Sequence, residues 1–189
     1  MKDQIAVSRL KQGDLSGLEA LVRRYEAQAV HAAYLIVYDR PLAEDVAQTA
    51  FLKVAECIHQ FDDGRPFAPW FYRIVVNDAL KLAKKQVRNV SLEEQLDEPT
   101  RQLAKWLVDP GLQPDQVLEQ KETRQIILKA IQSLPPGQRA VIVMRYYLDM
   151  SMSEMSTETG RPLSTVKWWL RDARRRLRGL MSAPQGKWE

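Results

Sequence analysis

The sequence predicts an all-α protein built as two small helical domains joined by an acidic linker, the second domain containing a helix-turn-helix. Three observations lead there. Almost every apolar-periodic segment repeats at helical spacing, and no alternating run makes a convincing strand. The middle of the 189-residue chain is interrupted by an acidic stretch carrying Pro99, Pro110, Gly111 and Pro114. Near the C-terminus, two short helical patterns flank Gly160, and the second of them is strongly basic.

In chain order, "DLSGLEALVRRYEAQAVHAAYLIVYD" places Leu18, Leu21, Val22, Tyr25, Ala29, Ala32, Ala33 and Ile36 on one side of a long helix. Asp39 and Pro41 then restart the chain in the order expected at a helix N-terminus. In "AEDVAQTAFLKVAECIHQF" the inward stripe is Ala47, Phe51, Val54 and Ile58, and the outward face opens with Glu44, Asp45 and Gln48. "DDGRPFAPW" is a loop by its Gly64, Pro66 and Pro69. A helix resumes in "WFYRIVVNDALKLAKKQVR", with Lys81, Lys84, Lys85 and Arg88 making its far end basic.

These elements form a first domain over residues 1–90, followed by a linker over 91–117 with a short helix around "TRQLAKWLV". The second domain, 118–182, begins with the amphipathic "VLEQKETRQIILKAIQSL", turns at "PPGQ", and continues into the short apolar helix "RAVIVMRYYL". Residues 183–189 are a tail. Within this domain Ser151 caps a helix, Glu154 completes a capping box, and Gly160 supplies a left-handed residue at its end. The last helix starts at or just before Ser164, with Val166, Leu170, Ala173, Leu177 and Leu180 as its apolar stripe.

Composition narrows the function. No apolar run approaches the roughly 20 residues of a membrane-spanning helix, and "MKDQIAVSRLKQGD" lacks a signal-peptide core, which places the chain in the cytoplasm. A single cysteine, Cys57, excludes an internal disulfide and a Cys-rich zinc site. His31 and His59 have no cysteine or acid at metal-ligand spacing, so both are packing or surface residues. With no Gly-rich phosphate loop and no local nucleophile–base motif, no catalytic residue, metal or cofactor is predicted.

Net charge is only +4, but it is segregated. Residues 161–178 hold seven cations (Arg161, Lys167, Arg171, Arg174, Arg175, Arg176, Arg178) against Asp172 alone, whereas residues 89–119 hold seven acids against Arg101 and Lys105. Two capped helices around a Gly turn also occur in plain bundles. The cations tip the balance, because a helix lying in a major groove needs a cationic outer surface beside the phosphates. A second region, "RPFAPWFYRIVVN", crowds Phe67, Trp70, Phe71 and Tyr72 beside Arg65 and Arg73. By composition these rings belong to a core, above all Phe71, in phase with Val75 and Ala79; the alternative is a platform for unstacked bases.

Taken together, "GDLSGLEALVRRYE", "AEDVAQTAFLKV", the aromatic "WFYRIVVN", "QRAVIVMRY", "STVK" and "RDARRRLRGL" resemble, in order and spacing, the small two-domain bacterial sigma factors of the extracytoplasmic-function group, over about residues 8–88 and 118–181. The resemblance implies that Glu44, Asp45 and Gln48 dock on the clamp helices of core RNA polymerase. It implies that Phe67, Trp70, Tyr72, Arg73, Asn77, Lys81, Lys84, Lys85 and Arg88 capture and hold minus-ten DNA as single strand and upstream duplex. Ser164, Thr165, Lys167, Trp168, Arg171, Arg174, Arg175 and Arg178 would read the minus-thirty-five element. The second domain would also meet the polymerase flap, the linker would thread toward the RNA exit path, and an anti-sigma factor is an expected partner. No small-molecule substrate and no membrane insertion are implied. A stand-alone helix-turn-helix regulator and a protein-binding helical adaptor are the alternatives, and the first leaves residues 1–88 unexplained.

One departure from the family pattern is the pair Trp168 and Trp169 after "TVK". At about 100° per residue the two serve different surfaces. Trp169 falls on the shoulder of the apolar stripe, with packing expected around Met152 or Met155. Trp168 falls at the margin of the basic face, where a thymine methyl or a sugar-phosphate edge is in reach, or where another part of the chain or a partner covers it.

Overall fold

In the computed structural model, residues 2–89 and 126–181 are described, and within them every regular element is helical. The first unit comprises α1 (Lys2–Lys11), α2 (Ser16–Val37), α3 (Arg40–Cys57) with a 3-10 turn at Ile58–Gln60, and α4 (Phe67–Asn89). The second comprises α5 (described over 126–132), α6 (Pro136–Ile142), a π-helical turn at Val143–Tyr147, α7 (Met152–Thr159) and α8 (Leu163–Met181). The expected linker, the expected first part of the second domain up to residue 125 and the expected tail lie outside the described residues.

Local chemistry accounts for the ends of these helices. The Asp39 carboxylate accepts from Leu42 N at 2.9 Å, and Pro41 follows in the first turn of α3. At α7 the capping box is complete: Ser151 Oγ accepts from Glu154 N at 3.1 Å and Glu154 Oε2 from Ser151 N at 2.7 Å. Gly160 closes that helix at φ 64°, the left-handed conformation glycine adopts without steric cost. The segment "RAVIVMRYYL" departs from a single regular helix, with α6 passing into the π-helical turn at Val143.

In the first unit, α2 packs against α1, α3 and α4. Its inward face includes Leu21, Tyr25, Ala29, Ala32, Ala33 and Ile36, and Val46, Ala47, Phe51 and Val54 of α3 complete the layer. The second half of α2 departs from a one-sided pattern: from Ala29 to Val37 every residue except His31 is buried. The cause is the second unit, whose α6 and π-helical turn pack on the other side of α2, while α6 and α7 also touch α4. A buried Arg139 donates to the Ile36 carbonyl at 2.7 Å and holds its guanidinium 5.3 Å from the Tyr38 ring. Tyr38 Oη donates to the Leu128 carbonyl at 3.0 Å, and burial holds this phenol well above the usual range. Gln28 Nε2 reaches the Tyr147 carbonyl at 3.4 Å, and the His31 ring lies tilted against Tyr147 at 4.8 Å between centroids.

Gly17 allows α1 to sit on α2. A Cβ there would overlap the Ala6 carbonyl oxygen and lie 2.7 Å from Leu10 N, both backbone atoms that cannot swing away. Gly17→Ala should therefore cost about 1–3 kcal/mol through forced repacking of α1. Thermal unfolding followed by circular dichroism checks this, and an unchanged midpoint would show that α1 does not depend on the close approach.

Candidate nucleic-acid and polymerase interfaces

Three surfaces gather the residues singled out in the sequence. On α3, Asp45 and Gln48 are exposed on one face, and Glu44 is half-buried with its Oε1 taking Arg40 Nε at 2.8 Å. One turn beyond Gln48 the same face presents Leu52, 64% exposed. Sequence reading missed Leu52 because it follows directly on the inward Phe51 and reads as part of the apolar run.

The second surface is the loop 61–66 with α4. Lys11 Nζ anchors the loop, donating to the Phe61 carbonyl and pairing with Asp63, each at 2.8 Å, and Asp62 Oδ1 accepts from Gly64 N at 2.9 Å. The aromatic residues divide in a way composition does not reveal. Phe67 and Tyr72 are buried, 4% and 3% exposed, in a cluster with Tyr25 and Phe71. Neither ring face is open to a base in this arrangement. Tyr72 Oη donates to Gln28 Oε1 at 2.5 Å, a partner that burial makes necessary. Trp70 is partly exposed, leaning on Phe61 and Phe67 at 5.0 and 5.8 Å.

Arg73 is exposed on α4, and Asn77 is half-buried one turn on. Lys81, Lys84 and Lys85 are exposed; Lys81 lies 3.6 Å from Asp78, whereas Lys84 and Lys85 have no ion-pair partner among the described residues. Arg88 lies in the last turn of α4, outside the residues whose side chains are described. Arg65 and Arg73 both face Glu158 of α7, a residue that sequence reading did not single out.

The third surface is α8. Ser164, Thr165, Lys167, Trp168 and Arg171 line one open groove of about 600 Å³ on its N-terminal half. Trp168 is 52% exposed there, while Val166, Leu170 and Ala173 face the core. Trp169 packs against the core cluster with the Arg161 guanidinium 4.5 Å over its ring and its edge near Gly137. Its cover thus includes the turn before α8 and the start of α6.

The cations of α8 are not one uniform patch. Lys167, Arg171 and Arg178 are exposed and without ion-pair partners among the described residues. Arg174 Nε donates to Tyr146 Oη at 2.5 Å, with the guanidinium 5.4 Å from that ring. Arg175 and Arg176 both reach Asp172, the second through Nε at 3.1 Å, and Asp172 also accepts from Gln138 Nε2 of α6 at 2.6 Å. Asp172 thereby locks the rotation of α8 against α6. Burial pushes this carboxyl upward, but hydrogen bonds from Arg176 and Gln138 and the nearby Arg175 outweigh it and hold the group below its ordinary value.

Among the described residues no group of acidic, His or Cys side chains could hold a metal ion, and no helix is long and apolar enough to cross a membrane.

The family model for sigma-70 region 2 matches residues 21–89, and that for sigma-70 region 4 matches residues 124–177. Similar curated proteins include the ECF RNA polymerase sigma factor SigW of Bacillus subtilis, 28% identical over 91% of this chain and 92% of that protein. The ECF RNA polymerase sigma-E factor of Escherichia coli is 29% identical over 88% of this chain and 87% of its own length. Among solved structures, CnrH in complex with the cytosolic domain of CnrY has a TM-score of 0.67 at 22% identity, covering 95% of this chain and 96% of that one. The sigma factor RpoE in complex with the anti-sigma factor NepR, from Bartonella quintana, has a TM-score of 0.64 at 19% identity over 88% and 98% of the two chains.

A lowered Asp172 pKa adds stability that is present above the unfolded-state value and is lost as pH falls through the folded-state value. Asp172→Asn should accordingly lower the melting temperature at neutral pH, with the gap to wild type closing in acid below the ordinary aspartate range. A gap that stays constant with pH would show that the carboxylate charge is not what locks α8.

Proposed function

Because this chain belongs to the sigma-70 family, in its extracytoplasmic-function group, we propose that α3, α4 and α8 divide polymerase docking, minus-ten capture and minus-thirty-five reading among them. As a sigma factor it binds core RNA polymerase and directs promoter-specific initiation, and it is not an enzyme: the bond chemistry belongs to the polymerase. The observation that carries the division of labour is the pair of separate cationic faces, Lys81, Lys84 and Lys85 on α4 and Lys167, Arg171 and Arg178 on α8. Phosphate contacts need this chemistry, and two faces on two units suit a duplex gripped at two separated elements.

The domain organisation that goes with this reading is an N-terminal domain over 1–90, a linker over 91–117, a C-terminal domain over 118–182 and a tail over 183–189. Asp45, Gln48 and Leu52, with Glu44, dock on the polymerase clamp, and the C-terminal domain meets the flap. Trp70 is the ring placed to receive an unstacked base, supported from behind by Phe61 and Phe67, while Arg73, Asn77 and the lysines and Arg88 of α4 hold the strand. Stacking of about 1–3 kcal/mol per base offsets the few kcal/mol needed to unstack a step and start the bubble. On α8, Ser164, Thr165, Lys167, Trp168 and Arg171 face base edges from one groove, with Arg174, Arg175 and Arg178 toward the backbone. The place of action is the cytoplasm, and an anti-sigma factor is a further partner; the solved complex of RpoE with the anti-sigma factor NepR supports it.

Two sets of variants separate the surfaces. Lys84→Ala with Lys85→Ala should leave core-polymerase affinity unchanged and reduce the slope of log affinity against log salt for promoter DNA by roughly 1.5–2. Asp45→Arg should do the converse, weakening core binding by about tenfold. Equal loss of both activities in either variant would mean that the residues serve the fold. Separately, Trp168→Ala should relax preference at one minus-thirty-five base pair by about 1–3 kcal/mol, measured on a set of single-base promoter variants. Unchanged affinity across that set would remove Trp168 from the reading surface.

A further inference from the structure

Two adjacent tyrosines in the π-helical turn serve two different elements. Tyr147 is half-buried and meets His31 of α2, whereas Tyr146 is 54% exposed and meets Arg174 of α8. The turn is held in this form by its own wide ring, with Leu148 N donating to the Val143 carbonyl at 3.0 Å, and by Arg145 Nη1 donating to the Met150 carbonyl at 3.0 Å. Tyr146 therefore has a fixed place beside the basic helix without being part of it.

The residue it touches belongs to a row. Lys167, Arg171, Arg174 and Arg178 follow at intervals of four, three and four residues, the spacing that sets side chains on one helix face, over about 16 Å at a rise of 1.5 Å per residue. All four are exposed. Lys167, Arg171 and Arg178 have no ion-pair partner among the described residues, and Arg175 and Arg176, off this row, share Asp172. Arg174 is held in a third way: its Nε donates to Tyr146 Oη at 2.5 Å, and its guanidinium lies 5.4 Å from the ring centroid. A hydroxyl partner leaves the positive charge whole, where a carboxylate would offset it. Because Nε is the atom engaged, the plane of the guanidinium is set, and both terminal nitrogens keep their donors for an acceptor outside the chain. A contact between two exposed side chains adds little to folding. What it does change is the direction of the fork.

We propose that Tyr146 is a positioning residue for promoter DNA: it aims the Arg174 fork at a backbone phosphate of the minus-thirty-five element and extends that interface from α8 to the π-helical turn. This rests on the assignment of α8 to that element. An oriented fork takes two phosphate oxygens together, and the rotamer freedom an unsupported arginine would lose on binding is already partly given up in the free chain. A backbone contact of this kind adds affinity and register without favouring one base over another.

Holoenzyme reconstituted with core polymerase, titrated with promoter duplex, provides the test. Tyr146→Phe keeps the ring and removes the acceptor oxygen. It should weaken promoter binding roughly three- to tenfold, by the same factor on each single-base variant of the minus-thirty-five element, with core-polymerase affinity and melting midpoint as in the wild type. Arg174→Ala should weaken binding at least as much. In the Arg174→Ala background Tyr146→Phe should bring no further loss, since the phenol then has no guanidinium to aim. Unchanged affinity in Tyr146→Phe, a loss that persists in full without Arg174, a loss confined to one base pair, or a lowered melting midpoint in place of lost affinity would each overturn the proposal. If instead Lys167→Ala with Arg171→Ala leaves promoter binding intact, the assignment of α8 to the minus-thirty-five element fails, however Tyr146→Phe behaves.

Discussion

Burial on every side of the second half of α2 is the constraint on which the rest of the structure depends. A helix flanked on one side only needs an apolar stripe; this one, from Ala29 to Val37, is apolar around nearly its full circumference and must be covered twice. The helices of the first unit cover one side, and α6 with the π-helical turn covers the other. Arg139 and Tyr38 fix this second contact by satisfying backbone carbonyls, of Ile36 and Leu128, across the seam between the units. Because α6 also carries Gln138, which bonds Asp172 of α8, the same seam sets where the basic helix stands.

From that placement the electrostatics follow. The cations on α4 and α8 with described side chains are exposed, and few acids among the described residues pair with them. Asp172 takes Arg175 and Arg176, which leaves Lys167, Arg171 and Arg178 facing solvent. Glu158 takes Arg65 and Arg73, and among the described residues this is where packing between the units draws on cations beside the aromatic loop. A chain with a net charge of only +4 can thus present two basic faces, because few of its acids stand beside those cations. The loop itself is steadied from α1 by Lys11, so the surface proposed to capture bases depends on a helix outside the residues matched by either family model.

Much of this was legible in the sequence where a signal is local. The caps at Asp39 and Ser151–Glu154, the left-handed Gly160 and the inward stripe of α3 each follow from chemistry within a few residues, and each stands where that chemistry puts it. What was not legible depends on partners far along the chain. Phe67, Trp70 and Tyr72 have the same composition signal, yet two are buried and one is partly open, because Tyr25 and Gln28 of α2 decide which rings are covered. Glu158 reads as an ordinary polar residue of a capped helix until Arg65, 93 positions away, is placed beside it. Gly17 reads as a weak point in α2 until α1 is seen to need its missing Cβ. The run "AAYLIVY" did contain a signal for two-sided burial, since it leaves no polar face, but only the fold shows what lies on the second side.

The direct measurement of promoter-directed initiation is reconstituted transcription with purified core polymerase on a pool of genomic fragments, with transcript 5′ ends mapped. The chain as described here should produce starts at a restricted set of sites sharing two upstream sequence elements at constant spacing, and Lys84→Ala with Lys85→Ala should deplete them. A pattern of ends identical to that of core polymerase alone would contradict a promoter-directing role.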